Sequence, residues 1–204
     1  MIYILIAVGL VALLAIGWRA AMALPCPPAF AKLVEMDNPL LRNNRAAAIL
    51  AGLGVRPGMS AIDLGCGPGR LTLPLAAAVG QTGKVLAVDL QPEMLAKVEG
   101  RCESAGLTNV AFRRAKLGAG ELPPGPFDRA TLVTVLGELH DKAAALAEAF
   151  QVLRPGGLLA LTEIVTDPHF QPREAALRLA GEAGFQLKSR TGGALSYTLY
   201  LERP

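Results

Sequence analysis

The apolar run Ala61-Ile62-Asp63-Leu64 breaks into Gly65-Cys66-Gly67-Pro68-Gly69, and a second apolar run, Lys84 to Val88, ends on Asp89. Few folds place glycine at three alternate positions between a strand and a helix. Glycine lacks a Cβ, so it takes positive φ readily and lets a ligand come close to the backbone. In a βαβ unit, an acid about twenty residues beyond such a turn lies beside it, within reach of ribose hydroxyls. The pattern predicts parallel strands with a nucleoside-binding crevice at their carboxyl ends.

The identity of the nucleoside follows from what the turn lacks. The dinucleotide fingerprint G-x-G-x-x-G needs a third glycine where this chain has Arg70. Asp63 also ends the first strand, where a pyrophosphate would meet a like charge and a cationic ligand would not. The pattern Asp-x-Gly-x-Gly-x-Gly with the downstream acid Asp89 resembles class I S-adenosylmethionine-dependent methyltransferases. In that family the glycine turn packs against the methionine moiety, and the acid after the second strand holds the ribose. The resemblance implies S-adenosyl-L-methionine as cofactor. It also implies a cofactor site made of Asp63, Gly65, Cys66, Gly67, Gly69, Asp89 and Leu90, with Lys116 and Leu117 beside the adenine.

Later segments continue the resemblance in order. Pro92 suits the first turn of a helix after Asp89, because its missing N–H is no loss there. Val110 to Arg114 reads as a third strand, and Phe127-Asp128 leads into a fourth over Ala130 to Leu136. Pro155-Gly156-Gly157 stops a helix, and Leu158 to Val165 reads as a fifth strand. Phe185 to Ser189 and Leu195 to Leu201, joined through Thr191-Gly192-Gly193, read as a terminal hairpin. The fold expected is α/β: a seven-stranded, mostly parallel, doubly wound sheet with a C-terminal antiparallel hairpin, preceded by one N-terminal transmembrane helix. At one place the chain departs from the family. Many members carry an acid after the third strand that accepts the adenine amino group, and this chain has Ala115-Lys116-Leu117-Gly118. Lysine has donors only, so main-chain atoms near Lys116 and Leu117 are left to hold the adenine.

Residues 2–17 carry no charged side chain, and Trp18-Arg19 ends the run. That length lies at the short end of what spans a bilayer as a helix. Trp18 suits the headgroup level, and the cations Arg19 and Lys32 follow the run with none before it, which directs the C-terminal domain to the cytoplasm. The organisation expected is a single-pass membrane anchor over 1–19, a linker with N-terminal capping helices over 20–54, and a Rossmann-like methyltransferase domain over 55–204. Leu40 to Leu53 reads as one of those helices. A cleaved signal peptide and a helix docked into a membrane protein complex are the other readings of the apolar run.

A net charge of +3 spread along the chain leaves no basic stripe for nucleic acid. Cys26, Cys66 and Cys102 are too far apart for a disulfide framework or a metal site, so no metal is expected. Cys66 reads as a small apolar filler inside the turn.

Methyl transfer from an activated sulfonium asks mainly for alignment, and a base is needed only where the acceptor must lose a proton. The candidates follow the fourth strand, in Gly137-Glu138-Leu139-His140-Asp141. His140 is either a general base with near-neutral pKa or an unengaged loop histidine. Glu138 either faces the crevice or caps the next helix, for which Asp141 is the expected N-cap. Glu163 is a second-rank candidate, and His169 falls in a loop bounded by prolines and reads as solvated. The acceptor expected is small or amphiphilic, such as a quinone precursor or a lipid. The alternative is a non-catalytic methyltransferase-like subunit of a membrane protein complex.

Overall fold

A computed structural model describes residues 44–204, so the proposed anchor over 2–18, the proline-rich linker and the start of the expected helix 40–53 lie outside the described residues. The described chain runs α1 (Ala46–Leu53), β1 (Ser60–Leu64), α2 (Thr72–Val79), β2 (Lys84–Asp89), α3 (Pro92–Ser104), β3 (Val110–Arg114) and β4 (Phe127–Val133). It continues through a 3-10 turn (Leu136–Glu138), α4 (Lys142–Val152), β5 (Leu153–Ile164), α5 (Arg173–Glu182), β6 (Gln186–Gly192) and β7 (Ser196–Glu202).

The strands form one sheet in the order β3-β2-β1-β4-β5-β7-β6. Pairing is parallel from β3 to β5, and β7 runs antiparallel to both β5 and β6. The expected seven-stranded α/β sheet with its C-terminal hairpin is therefore present. Strand order reverses between β1 and β4, and in such sheets ligands bind at the carboxyl ends beside the reversal.

Alternation along the strands assigns each residue a face. Ile62, Leu64, Ala130, Leu132, Leu159, Leu161, Leu199 and Leu201 point toward α4 and α5, where they pack with Leu146, Ala149, Ala176 and Phe185. Ala61, Val85, Leu158, Ala160 and Tyr200 point the other way, against Ile49 and Leu53 of α1 and Leu75 and Val79 of α2. Parallel strands buried on both faces read as nearly continuous apolar runs, which is why β1, β2 and β4 stand out in the sequence.

Several expected boundaries move, each for a local reason. The fourth strand ends at Val133 instead of Leu136, because Thr134 takes φ 55° and the chain then coils into the 3-10 turn. The fifth strand starts at Leu153, and a register shift opposite Phe127 and Arg129 absorbs the Arg154–Gly157 segment that reads as a plain helix stop. β6 continues through Gly192, past the expected Ser189, and the turn to β7 follows Gly193. The helix expected from Leu40 is α1, which begins at Ala46.

Gly52 shows how closely α1 sits on the sheet. A Cβ there would lie 2.0 Å from Tyr200 Cζ, and the Tyr200 ring is 1% exposed, with its hydroxyl donating to Ala48 O at 3.3 Å. Helix propensity alone favours alanine over glycine by about 1 kcal/mol, but overpacking a filled core costs about 1–3 kcal/mol. Gly52→Ala is thus expected to lower stability, measured as a reduced urea midpoint; an unchanged or raised midpoint would mean that α1 can ride outward freely.

Candidate active site

The ends of β1, β2, β3 and β4 open into a crevice of about 320 Å³ lined by Asp63, Gly65–Gly67, Asp89–Gln91, Ala115–Leu117, Val133–Val135 and Glu138–His140. The glycine turn is fastened to β2, since the N–H groups of Gly65 and Cys66 both donate to Val88 O at 2.8 Å. Asp89 holds it from the side: Oδ2 accepts the Gly67 N–H at 2.8 Å, and Oδ1 accepts the Gln91 N–H at 2.9 Å. Burial raises the Asp89 carboxyl above its ordinary range, and the N–H groups of Gln91 and Gly67 pull it back.

All three glycines have positive φ, but they serve different ends. A Cβ on Gly65 would lie 2.5 Å from Val135, and one on Gly69 2.4 Å from Val98. A Cβ on Gly67 would meet no protein atom within 4 Å. Gly65 and Gly69 therefore allow Val135, just past β4, and α3 to pack against the turn, while Gly67 leaves space in the crevice.

Asp63 lies beneath the turn, 3% exposed, and accepts from the hydroxyls of Thr72 and Thr131 at 2.6 Å each. Burial pushes its carboxyl up; the two hydroxyls and Arg70 act in the opposite sense. Arg70, the residue that spoils a dinucleotide fingerprint, donates to Asn44 O at 2.7 Å and to Asn44 Oδ1 at 3.2 Å. It thereby ties the segment ahead of α1 to the glycine turn. The Cys66 thiol is buried and pushed up by that burial, consistent with a packing role.

Past β3, Lys116 and Leu117 line the crevice as expected, and the Lys116 side chain is exposed. The Lys116 N–H donates to Glu121 Oε2 at 2.7 Å. Buried Glu148 of α4 accepts the N–H groups of Gly118 at 2.6 Å and Leu122 at 3.0 Å, which closes the loop.

At the opposite end, Glu138 and His140 both line the crevice. His140 is exposed at the rim, and Asp141 accepts the Ala144 N–H at 2.9 Å as the N-cap of α4. Glu138 therefore faces the crevice and leaves the cap to Asp141. His169 corrects the sequence reading. Its side chain is only 13% exposed, packed near Asp167 and Glu138, because the loop after β5 folds back over the 3-10 turn. Nothing in the local sequence around His169 signals that return.

Glu163 lies behind the loop, 1% exposed, with Oε2 accepting the Gln171 N–H at 3.0 Å and no partner for Oε1. Burial pushes its carboxyl from 4.5 up to about 8, with Asp167 and Glu138 adding to the rise and the Gln171 N–H opposing it. The folded chain then holds this proton more tightly than the unfolded chain does. Its contribution to stability is complete below pH 4.5 and is lost as pH climbs through about 8. Asp63 and Asp89 shift in the same direction, so the informative quantity is a difference. Urea unfolding of Glu163→Gln and the unaltered chain should give a gap that widens in favour of the variant from pH 5 to pH 8; a gap independent of pH would show that Glu163 is not held protonated.

Comparison with known proteins agrees with this geometry. Residues 61–157 match the family model for a methyltransferase domain. A 37.1 kDa protein in transposon TN4556 of Streptomyces fradiae is 41% identical over 117 residues, 57% of this chain and 33% of that protein. The ubiquinone/menaquinone biosynthesis C-methyltransferase UbiE of Psychromonas ingrahamii is 35% identical over 120 residues, 58% of this chain and 47% of that enzyme. The matched region thus spans less than half of these curated relatives. An S-adenosylmethionine-dependent methyltransferase from Aquifex aeolicus shares the fold with a TM-score of 0.77 at 22% identity, covering 88% of this chain and 100% of that one. The [4+2]-cyclase SpnF shares it at 0.64 and 22%, covering 72% and 57%. The glycine turn at the sheet reversal, the seven-stranded order and the matched segment converge: residues 61–157 match a methyltransferase-domain model, and the described chain has the Rossmann-like fold seen in S-adenosylmethionine-dependent methyltransferases.

Proposed function

We propose that the protein transfers a methyl group from S-adenosylmethionine to a small or amphiphilic acceptor, a quinone precursor or lipid-like molecule, at the cytoplasmic face of a membrane. The observation that carries the reading is the crevice itself. It places an open backbone at Gly67 beside the Asp89 carboxylate, with Glu138 at the far wall.

The residues present fit the cofactor. Each Asp89 oxygen accepts one backbone N–H, and a carboxylate oxygen has room for a second donor, so Asp89 can take ribose hydroxyls without releasing the turn. Gly65, Cys66, Gly67 and Gly69 supply the turn against which the methionine part would lie, and Leu90, Lys116 and Leu117 line the adenine side. Asp63 is raised by burial and lowered by nearby positive charge. A cation bound above it therefore favours its ionised form, and the ionised form favours the cation. When bound, the cofactor supplies a methyl group already activated by the sulfonium. The protein then has to bind, align the acceptor in line and exclude water. Glu138 is the group placed to take a proton, with His140 at the rim.

The acceptor class rests on two supports of different kind. The matched relative UbiE is by name a quinone-biosynthesis C-methyltransferase, and the uncharged run 2–17 followed by Trp18-Arg19 suits a single-pass anchor in the bilayer. An anchored crevice meets its acceptor at the membrane surface.

The test uses the full chain in detergent micelles with calorimetric titration of S-adenosylmethionine. Asp89→Ala removes hydrogen bonds to a charged group, each worth about 1.5–3 kcal/mol, so affinity should fall by about 100-fold or more. No binding by the folded unaltered chain would overturn the enzyme reading and leave a non-catalytic subunit of a membrane complex.

A second pair of variants separates fold from ligand. Gly67→Ala meets no protein atom, so beyond a positive-φ cost of about 1–2 kcal/mol it should leave the fold intact while its methyl group blocks the cofactor. Gly65→Ala collides with Val135 and should lower the thermal midpoint further. Equal losses of stability in both would contradict this division of roles.

A further inference from the structure

His169 is the one histidine of the chain's two that the sequence reading dismissed, and the loop around it is built with care. Its Nδ1 stands 3.4 Å from Asp167 Oδ1 and 3.9 Å from Glu138 Oε1. Asp167 Oδ1 also accepts the His169 backbone N–H at 2.7 Å, which holds the acid and the imidazole in one turn. Gln171 fastens the far side: its amide Nε2 donates to His169 O at 2.8 Å, its backbone N–H donates to Glu163 Oε2, and its carbonyl accepts the Tyr197 hydroxyl at 2.7 Å.

The loop presses directly on the turn that carries Glu138. A Cβ on Gly137 would lie 1.8 Å from His169 O. Any side chain at that position would drive the loop off, and with it the imidazole from Glu138. The approach of His169 to Glu138 thus depends on the missing Cβ of the residue next to Glu138.

An ionised carboxylate only accepts hydrogen bonds, so carboxylate oxygens 3.4 and 3.9 Å from Nδ1 favour the tautomer with the proton on that nitrogen. Among the described residues, the charged and titratable groups around this pair include Glu138 on the 3-10 turn, Lys142 on α4, Glu163 on β5 and Asp167 in the loop. The Lys142 ammonium donates to Leu139 O at 2.9 Å.

We propose that His169, oriented by Asp167, is the positioning residue for Glu138, and that Glu138 takes a proton from the methyl acceptor. The inference rests on the methyltransferase reading above and deepens it. The acceptor then carries an O–H, N–H or acidic C–H bond that is lost on methylation. Its electron pair forms the bond to the methyl carbon, the pair of the carbon–sulfur bond stays on sulfur, and its proton passes to a Glu138 oxygen. One sulfonium and one carboxylate become a neutral thioether and a neutral carboxylic acid, so charge balances. An acceptor with no proton to give, such as a tertiary amine, has no use for the pair.

The test combines spectroscopy with kinetics on the full chain in micelles. His140→Asn leaves His169 as the single histidine, and nitrogen NMR of histidine-labelled protein then reads its tautomer. The expected result is the Nδ1–H form in the neutral ring, with an Nδ1 resonance that moves in Glu138→Gln and stays in place in the distant control Glu182→Gln. An Nε2–H tautomer, or a resonance indifferent to Glu138→Gln, overturns the proposal.

The kinetic arm uses 1,4-dihydroxynaphthalene as a protic acceptor and N,N-dimethylaniline as an aprotic one. His169→Gln is expected to lower kcat for the protic probe by about 100-fold with KM nearly unchanged, and to keep cofactor affinity in calorimetry. Because His169 is largely buried, the half-buried Glu138→Gln provides a second variant, expected to show the same kcat loss. A folded His169→Gln chain that keeps its kcat overturns the proposal, as does a chain that binds cofactor and methylates only the aprotic probe. If neither probe is methylated, the tautomer and its response to Glu138→Gln decide. Failure to bind cofactor at all sinks the methyltransferase reading instead, which the histidine spectrum distinguishes from failure of the positioning role.

Discussion

One buried carboxylate holds the crevice together. Asp63 sits at the reversal point of the sheet and accepts a hydroxyl from Thr131 on the neighbouring strand β4 and another from Thr72 at the start of α2. Removed from water without partners, such a group would cost several kcal/mol. Two short bonds to hydroxyls that are themselves fully buried offset that cost. The same two bonds set where α2 starts relative to β4, and so the shape of the turn between β1 and α2. The glycine turn, its attachment to Val88 O and the grip of Asp89 on Gly67 follow from that placement.

Around this anchor the crevice has two ends of different character. At the β1–β2 end the crevice is walled by backbone and by the Asp89 carboxylate, and small residues are required because Val135 and α3 come close. At the β4–β5 end, side chains collect: Glu138, Asp167, His169 and, behind them, Glu163. This division suits a constant cofactor and a variable acceptor. The fold alone does not choose a reaction, as a [4+2]-cyclase on the same scaffold illustrates. At the β4–β5 end the protein places a half-buried imidazole against two carboxylates.

Much of the fold was legible along the chain because its signals are local. Apolar runs mark strands that are buried on both faces, Pro92 and Asp141 mark helix starts, and glycines mark the turn. The boundaries that moved are those where a neighbouring strand decided the issue. Leu153 joins β5 because Phe127 offers it a partner, and Ala130 to Leu136 stops short because Thr134 turns out of the sheet. The contact of Glu121 with the Lys116 N–H was invisible for a similar reason: it sits in a loop that buried Glu148 holds through the N–H groups of Gly118 and Leu122.

Sequence by itself determined the α/β class, the glycine turn between Asp63 and Asp89, and the placing of Glu138 and His140 after the fourth strand. Each of these depends on residues near one another in the chain or on a βαβ spacing that geometry enforces. Tertiary structure alone decided that His169 is half-buried beside Glu138 and that burial raises the Glu163 carboxyl to about 8. Both depend on a loop laid against Gly137, whose missing Cβ makes room for a backbone carbonyl from a distant segment. No periodicity or local motif records such a contact, because it exists only when two separate pieces of chain are packed together.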